Sequence, residues 1–136
     1  MAGWLVFMSA AIIFALGAMH LWITFHGPKL KPRDPDLEAR LKEVSPVITR
    51  QTTMWKAWIG FNASHSYGAI LFGLVYGYLA LAQRELLFGS VYLASVGALL
   101  LAGYVVLGRL YWFSIPFRGI VIATILYFAG FALSRA

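Results

Sequence analysis

The sequence predicts an all-α fold: a four-helix transmembrane bundle with a short amphipathic surface helix in its first loop. Three observations carry this. Of 136 residues, 61% are hydrophobic and only 12% charged, whereas soluble domains run nearer ~45–50% apolar. The apolar residues fall into four runs, Trp4–Phe25, Met54–Gln83, Leu86–Gly108 and Phe117–Leu133, each long enough to cross a bilayer as helix at roughly 20 residues per span. Each run is apolar on all faces, and runs of this length exclude barrel strands. The chain 1–136 therefore reads as one integral membrane domain with a loop over about residues 27–53.

The first run begins apolar at Met1, lacks a basic leader and shows no small-residue cleavage site before His26. It is read as a retained span. The loop after it holds most of the charge: Lys29, Lys31, Arg33, Arg40, Lys42, Arg50 and Lys56, with Asp34, Asp36, Glu38 and Glu43. That placement assigns the net charge of +6 to anionic lipid headgroups, not to nucleic acid. Asp34 followed by Pro35 is a cap-plus-proline start, and Leu37, Leu41 and Val44 form one stripe, so a helix lying on the membrane surface is expected. Asp36 with Arg40, and Glu38 with Lys42, stand four apart in the favourable order. Ser45-Pro46 repeats the start signal. A helix from Pro46 into the second run would be about 57 Å long, so it either projects into the cytoplasm or bends near Thr52-Thr53.

The second connection carries Arg84 and Glu85, and Ser114-Ile115-Pro116 reads as a tight turn into the fourth run. Nine of eleven basic residues lie in the first loop or at the third connection, with Arg109 and Arg118 in the latter. The positive-inside rule then puts both termini outside. Trp4, Trp22, Trp55, Trp58, Tyr111 and Trp112 lie near span ends, as interfacial aromatic belts require. Gly60, Ser64 and Gly68, with Gly73, Gly77, Gly97, Gly103, Gly119 and Gly130, permit close helix approach in a packed bundle or, alternatively, a homodimer.

Several strings resemble a family of small, largely uncharacterised bacterial integral membrane proteins with four predicted helices. They are Gly27-Pro28-Lys29-Leu30, Ser45-Pro46 and Thr52-Thr53-Met54-Trp55 leading to Gly60-Phe61-Asn62-Ala63-Ser64-His65-Ser66. The resemblance covers roughly the N-terminal two thirds. It implies the topology and the importance of the second span, and it supplies no activity. A looser likeness in size and span count links the chain to four-helix sterol-handling and scaffold proteins, by architecture only.

Inside the spans the chemistry is narrow. With no cysteine, thiolate metal sites and thiol redox chemistry are excluded. All five carboxylates, Asp34, Asp36, Glu38, Glu43 and Glu85, lie outside the runs, which removes di-iron bundles, carboxylate proton relays and Asp/Glu acid–base pairs. No catalytic or metal set is assigned. Asn62, Ser64, His65 and Ser66 form a polar knot in the second run, and polar groups at membrane depth mark interior faces or wet cavities. One reading is a packed, hydrogen-bonded histidine. The sharper one is a ligand cavity where Trp58, Asn62, His65 and Ser66 face Gly17, His20 and Thr24, suited to a lipid, quinone or sterol-like molecule. Arg50, Trp55 and Lys56 flank the entry to the second span, either snorkelling or holding a headgroup.

The expected function is a non-enzymatic binder of a lipid-like ligand, or an accessory or scaffold subunit of a larger membrane complex. The alternatives are a histidine-dependent enzyme on a lipid-like substrate and a haem b carrier through His20 and His65. Against haem, equal span boundaries would leave the two histidines offset by about 9 Å in depth. His26 lies about 120° round the helix from His20, a poor partner for a shared metal.

Overall fold

The computed structural model describes residues 1–135, and among these it is all-helical: α1 Ala2–Phe25, α2 Pro35–Glu43, α3 Met54–Ala82, α4 Arg84–Gly89, α5 Val91–Tyr111 and α6 Ser114–Arg135. Helices α1, α3, α5 and α6 are long and apolar enough to cross a membrane. The chain forms two compact units. One comprises residues 1–16 and the chain from Ala69 onward; the other is Gly17–Gly68. Helices α1 and α3 each contribute a stretch to both.

In the first unit, small residues let four helices approach in an antiparallel ring. Against α3, a Cβ at Gly73 would meet Phe14 and, at 2.9 Å, the Ala10 carbonyl of α1. Against α6, a Cβ at Gly130 would lie 2.7 Å from Val6 and 3.0 Å from the Ala2 carbonyl. Tyr76 of α3 and Tyr127 of α6 donate their hydroxyls to consecutive carbonyls of α5, Leu93 at 2.7 Å and Ala94 at 2.9 Å. Both rings pack on Gly97, and Tyr76, Tyr127 and Phe72 form an aromatic cluster. The core around it is apolar: Val6, Ala10, Ile13, Leu79, Leu101, Ile120, Ala123 and Phe131. Ser9 is fully buried there, and its hydroxyl has no hydrogen-bond partner among the described residues.

The long helices match the four apolar runs, with shifted ends. Ser90 caps α5 by accepting from the Leu93 N–H at 3.2 Å, so the third run begins at Val91. The stretch 84–89 is instead the separate short helix α4, which buries Leu87. The turn expected at Ser114-Ile115-Pro116 is the first turn of α6, where a proline loses no intrahelical bond.

In the second unit, Gly27 ends α1 region with a φ of 84°, a backbone that L side chains rarely adopt. Helix α2 forms as its start signal requires, Asp34 accepting from the Asp36 N–H at 2.9 Å with Pro35 at the first position. Lys42 reaches Glu38 at 2.7 Å, as expected. Arg40 pairs with Glu43 at 3.2 Å instead of with Asp36; both are exposed pairings of small weight, so neither is strongly specified. No helix starts at Pro46. Residues 44–53 form turns, closed by the Met54 N–H on the Val44 carbonyl at 2.8 Å. The Thr53 hydroxyl accepts from the Lys56 N–H and caps α3 at Met54, so the long helix expected from Pro46, projecting or bent, does not form.

Candidate functional site

The polar residues of the second unit form one chain of hydrogen bonds. Asn62 is its centre: its Nδ2 donates to the Trp58 carbonyl at 2.8 Å. A carbonyl only accepts, so the amide must turn Oδ1 towards α1, where His20 Nε2 lies 3.0 Å away. His20 therefore carries its proton on Nε2 and donates. Thr24 donates to the His20 carbonyl at 2.7 Å, and Ser66 to the Asn62 carbonyl at 2.9 Å. At the other end, Trp58 Nε1 donates to the Leu30 carbonyl at 3.1 Å, tying the turn after α1 to α3. His65 packs edge-on against His20, ring centroids 5.6 Å apart at 86°. Ser64 is exposed and, among the described residues, bonds within its own helix, donating to the Phe61 carbonyl.

His20, Thr24, Trp58, Asn62, His65 and Ser66 are thus brought together. Thr24, Asn62 and Ser66 are buried, while His20 and His65 are partly buried. The depth offset reckoned from the sequence does not separate the histidines, because the helix ends are not level. His20 lies five residues before the end of α1 and His65 eleven after the start of α3. Their contact requires α3 to overhang the end of α1 by about 9 Å. His26 is occupied locally, donating from Nδ1 to the Trp22 carbonyl and stacking on the Trp22 ring. His20 Nε2 is bonded to Asn62, so haem ligation through that nitrogen would break the central hydrogen bond of the unit.

The overhang creates a cleft. Ile23, Thr24 and Phe25 of α1, Gly27, Leu30 and Lys31 of the following turn, and Trp55 and Ile59 of α3 enclose about 260 Å³. The polar knot is not its lining. The cleft shares only Thr24 with the expected cavity, while Asn62, His20 and Trp58 hold its walls in register.

Charge collects at its mouth. Glu38 of α2 bonds both Lys42, at 2.7 Å, and Lys31, at 3.4 Å. The Lys42 hydrogen bond, then that of Lys31, holds the Glu38 carboxyl below its ordinary value against the opposing effect of burial. Lys42 also stands over the Trp55 ring, 5.4 Å from its centre, within cation–π range. Two lysines share one carboxylate, leaving one net positive charge beside the cleft. Arg50 and Lys56 are exposed and, among the described residues, enter no ion pair; of the three headgroup candidates, only Trp55 lines the cleft. Lys31 and Ile59 were not singled out by sequence. The available signal for Lys31 was Gly27-Pro28, a turn that brings the next residues back onto the helix ends.

Compared with known protein families, curated proteins and solved structures, the chain finds no match. Structure and composition define a helical protein with four candidate membrane-spanning helices.

Proposed function

We propose that this is a multi-pass protein of a bacterial inner membrane, of the small four-helix kind its sequence resembles, that binds a lipid-like amphiphile without catalysing a reaction. The cleft carries this reading: apolar walls, one indole and a single ammonium converge where the α3 overhang meets the turn after α1. Such a mixture of apolar lining and few polar groups suits amphiphile recognition. Its volume is below the ~300–1,000 Å³ of pockets that enclose a drug-sized ligand. It therefore takes the polar end of an amphiphile, with the chains lying outside, rather than a whole quinone or sterol.

Membrane insertion is supported by the many exposed apolar side chains, among them Leu71, Leu74, Leu99, Leu110 and Ile125, a surface that a soluble monomer does not present. Val47 and Ile48 in the first loop are almost fully exposed beside Arg50, fitting a loop that dips into the headgroup layer. The basic bias supports an orientation with this loop in the cytoplasm and both termini outside. A cytoplasm-active reporter fused at either end should stay silent, and activity there would overturn the orientation. For binding, Ile59→Trp fills the cleft. The variant, purified in mild detergent, should lose the phospholipid that the wild type retains; undiminished retention would refute the cleft as the site.

A further inference from the structure

We infer that the occupant of the cleft is a phospholipid of net negative charge, whose phosphate takes Lys31 from Glu38. The inference rests on the cleft reading above and adds the headgroup class and the exchange that admits it. Lys31 is the cation that lines the cleft, and its side chain is 47% exposed. Its link to Glu38 is the longer of two: 3.4 Å, against 2.7 Å for Lys42. Glu38 therefore keeps a partner when Lys31 leaves, so the exchange strands no buried charge. An arriving phosphate gains an ammonium already held at the mouth by the Gly27–Lys31 turn, which the Trp58–Leu30 bond fixes. A zwitterionic headgroup brings its own cation and gains little from Lys31, so the site discriminates by net charge. Ile23, Phe25 and Ile59 offer apolar wall to the first part of the chains.

The purified full chain in a neutral detergent is titrated with phosphatidylglycerol and, separately, phosphatidylcholine, and bound lipid is read by native mass spectrometry. The wild type should prefer phosphatidylglycerol, and Lys31→Gln should lower that preference about fivefold, the factor expected for one basic residue. Glu38→Gln, which frees Lys31, should raise it. The opposite signs matter, because both variants break the same ion pair: a merely structural bridge predicts that both weaken binding. A preference unchanged in Lys31→Gln, or lowered by Glu38→Gln, overturns the inference. So does displacement of the lipid by millimolar inorganic phosphate, which would show a free-anion site. Ile59→Trp separates the two levels. If it abolishes retention of both lipids while Lys31→Gln changes nothing, the cleft reading stands and the charge exchange fails; if it leaves both lipids bound, the two fail together.

Discussion

The two units solve the same problem, holding apolar helices side by side, with different chemistry. In the first, the interior is mainly aliphatic and aromatic; the Tyr76 and Tyr127 hydroxyls go directly to backbone carbonyls, and the buried Ser9 hydroxyl has no partner among the described residues. In the second, the buried residues are Gly17, Thr24, Asn62 and Ser66, a small residue and three polar ones. Helices in lipid gain little from apolar burial against each other, so packing and interhelical hydrogen bonds decide which faces meet. The first unit uses mainly packing, and its groove of about 400 Å³ between α5 and α6 is lined almost wholly by apolar side chains such as Ala94, Ala98, Phe128 and Phe131. The second uses a hydrogen-bond chain, leaves a cleft, and places lysines at its mouth.

Three perturbations sharpen this contrast, in falling order of effect. Adding one methyl at Gly97 should be the most costly. Its Cβ would lie 2.7 Å from Tyr127 Cζ and 2.8 Å from Tyr76 Cε1, and both rings are pinned by their hydroxyls. Gly97→Ala should destabilise by about 1–3 kcal/mol, whereas Gly103→Ala, with nothing within 4 Å, should stabilise by roughly 0.5–1 kcal/mol through helix entropy. Reversible unfolding in mixed detergent reads both, and equal responses would deny that the first unit is close-packed. Next, Asn62→Leu removes the acceptor of the His20 N–H and should cost about 0.6–1.7 kcal/mol, with the loss of amide-exchange protection confined to residues 17–30. A loss spreading through α5 and α6 would contradict the separate character of the second unit.

The smallest effect concerns α2. Because the folded chain holds the Glu38 carboxyl below its ordinary 4.5, the bridge is fully present above that pH and is lost as pH falls through the folded value. Protection of the α2 amides should accordingly fall on acidification through the carboxylate range, and high salt should mimic part of the change at neutral pH. A loss on raising the pH instead would assign α2 to another contact.

Composition and run length were enough to read the four long helices, because an apolar stretch of about 20 residues has few alternatives. The α2 start was legible because Asp34-Pro35 is a local signal. Helix α4 was missed because Leu86–Phe88 are as apolar as a span, and the break depends on Ser90 capping the next helix. The convergence of His20, Asn62 and His65 was legible from helical spacing, but the helix overhang was not. It is set by tertiary contacts such as Trp58 with Leu30, which no local pattern encodes. The cleft is a consequence of that overhang, so its lining, Lys31 and Ile59 above all, was hidden for the same reason.

The most direct test of a binding cleft confined to the second unit is photo-crosslinking after delipidation. A photoreactive residue replaces Ile59 in the cleft or, in a separate protein, Leu99 on the exposed face of α5. After extensive detergent washing and irradiation, intact-mass measurement should show a discrete phospholipid adduct at position 59 and none at position 99. Equal adducts at both positions, or none at 59, would contradict the assignment of ligand binding to the cleft.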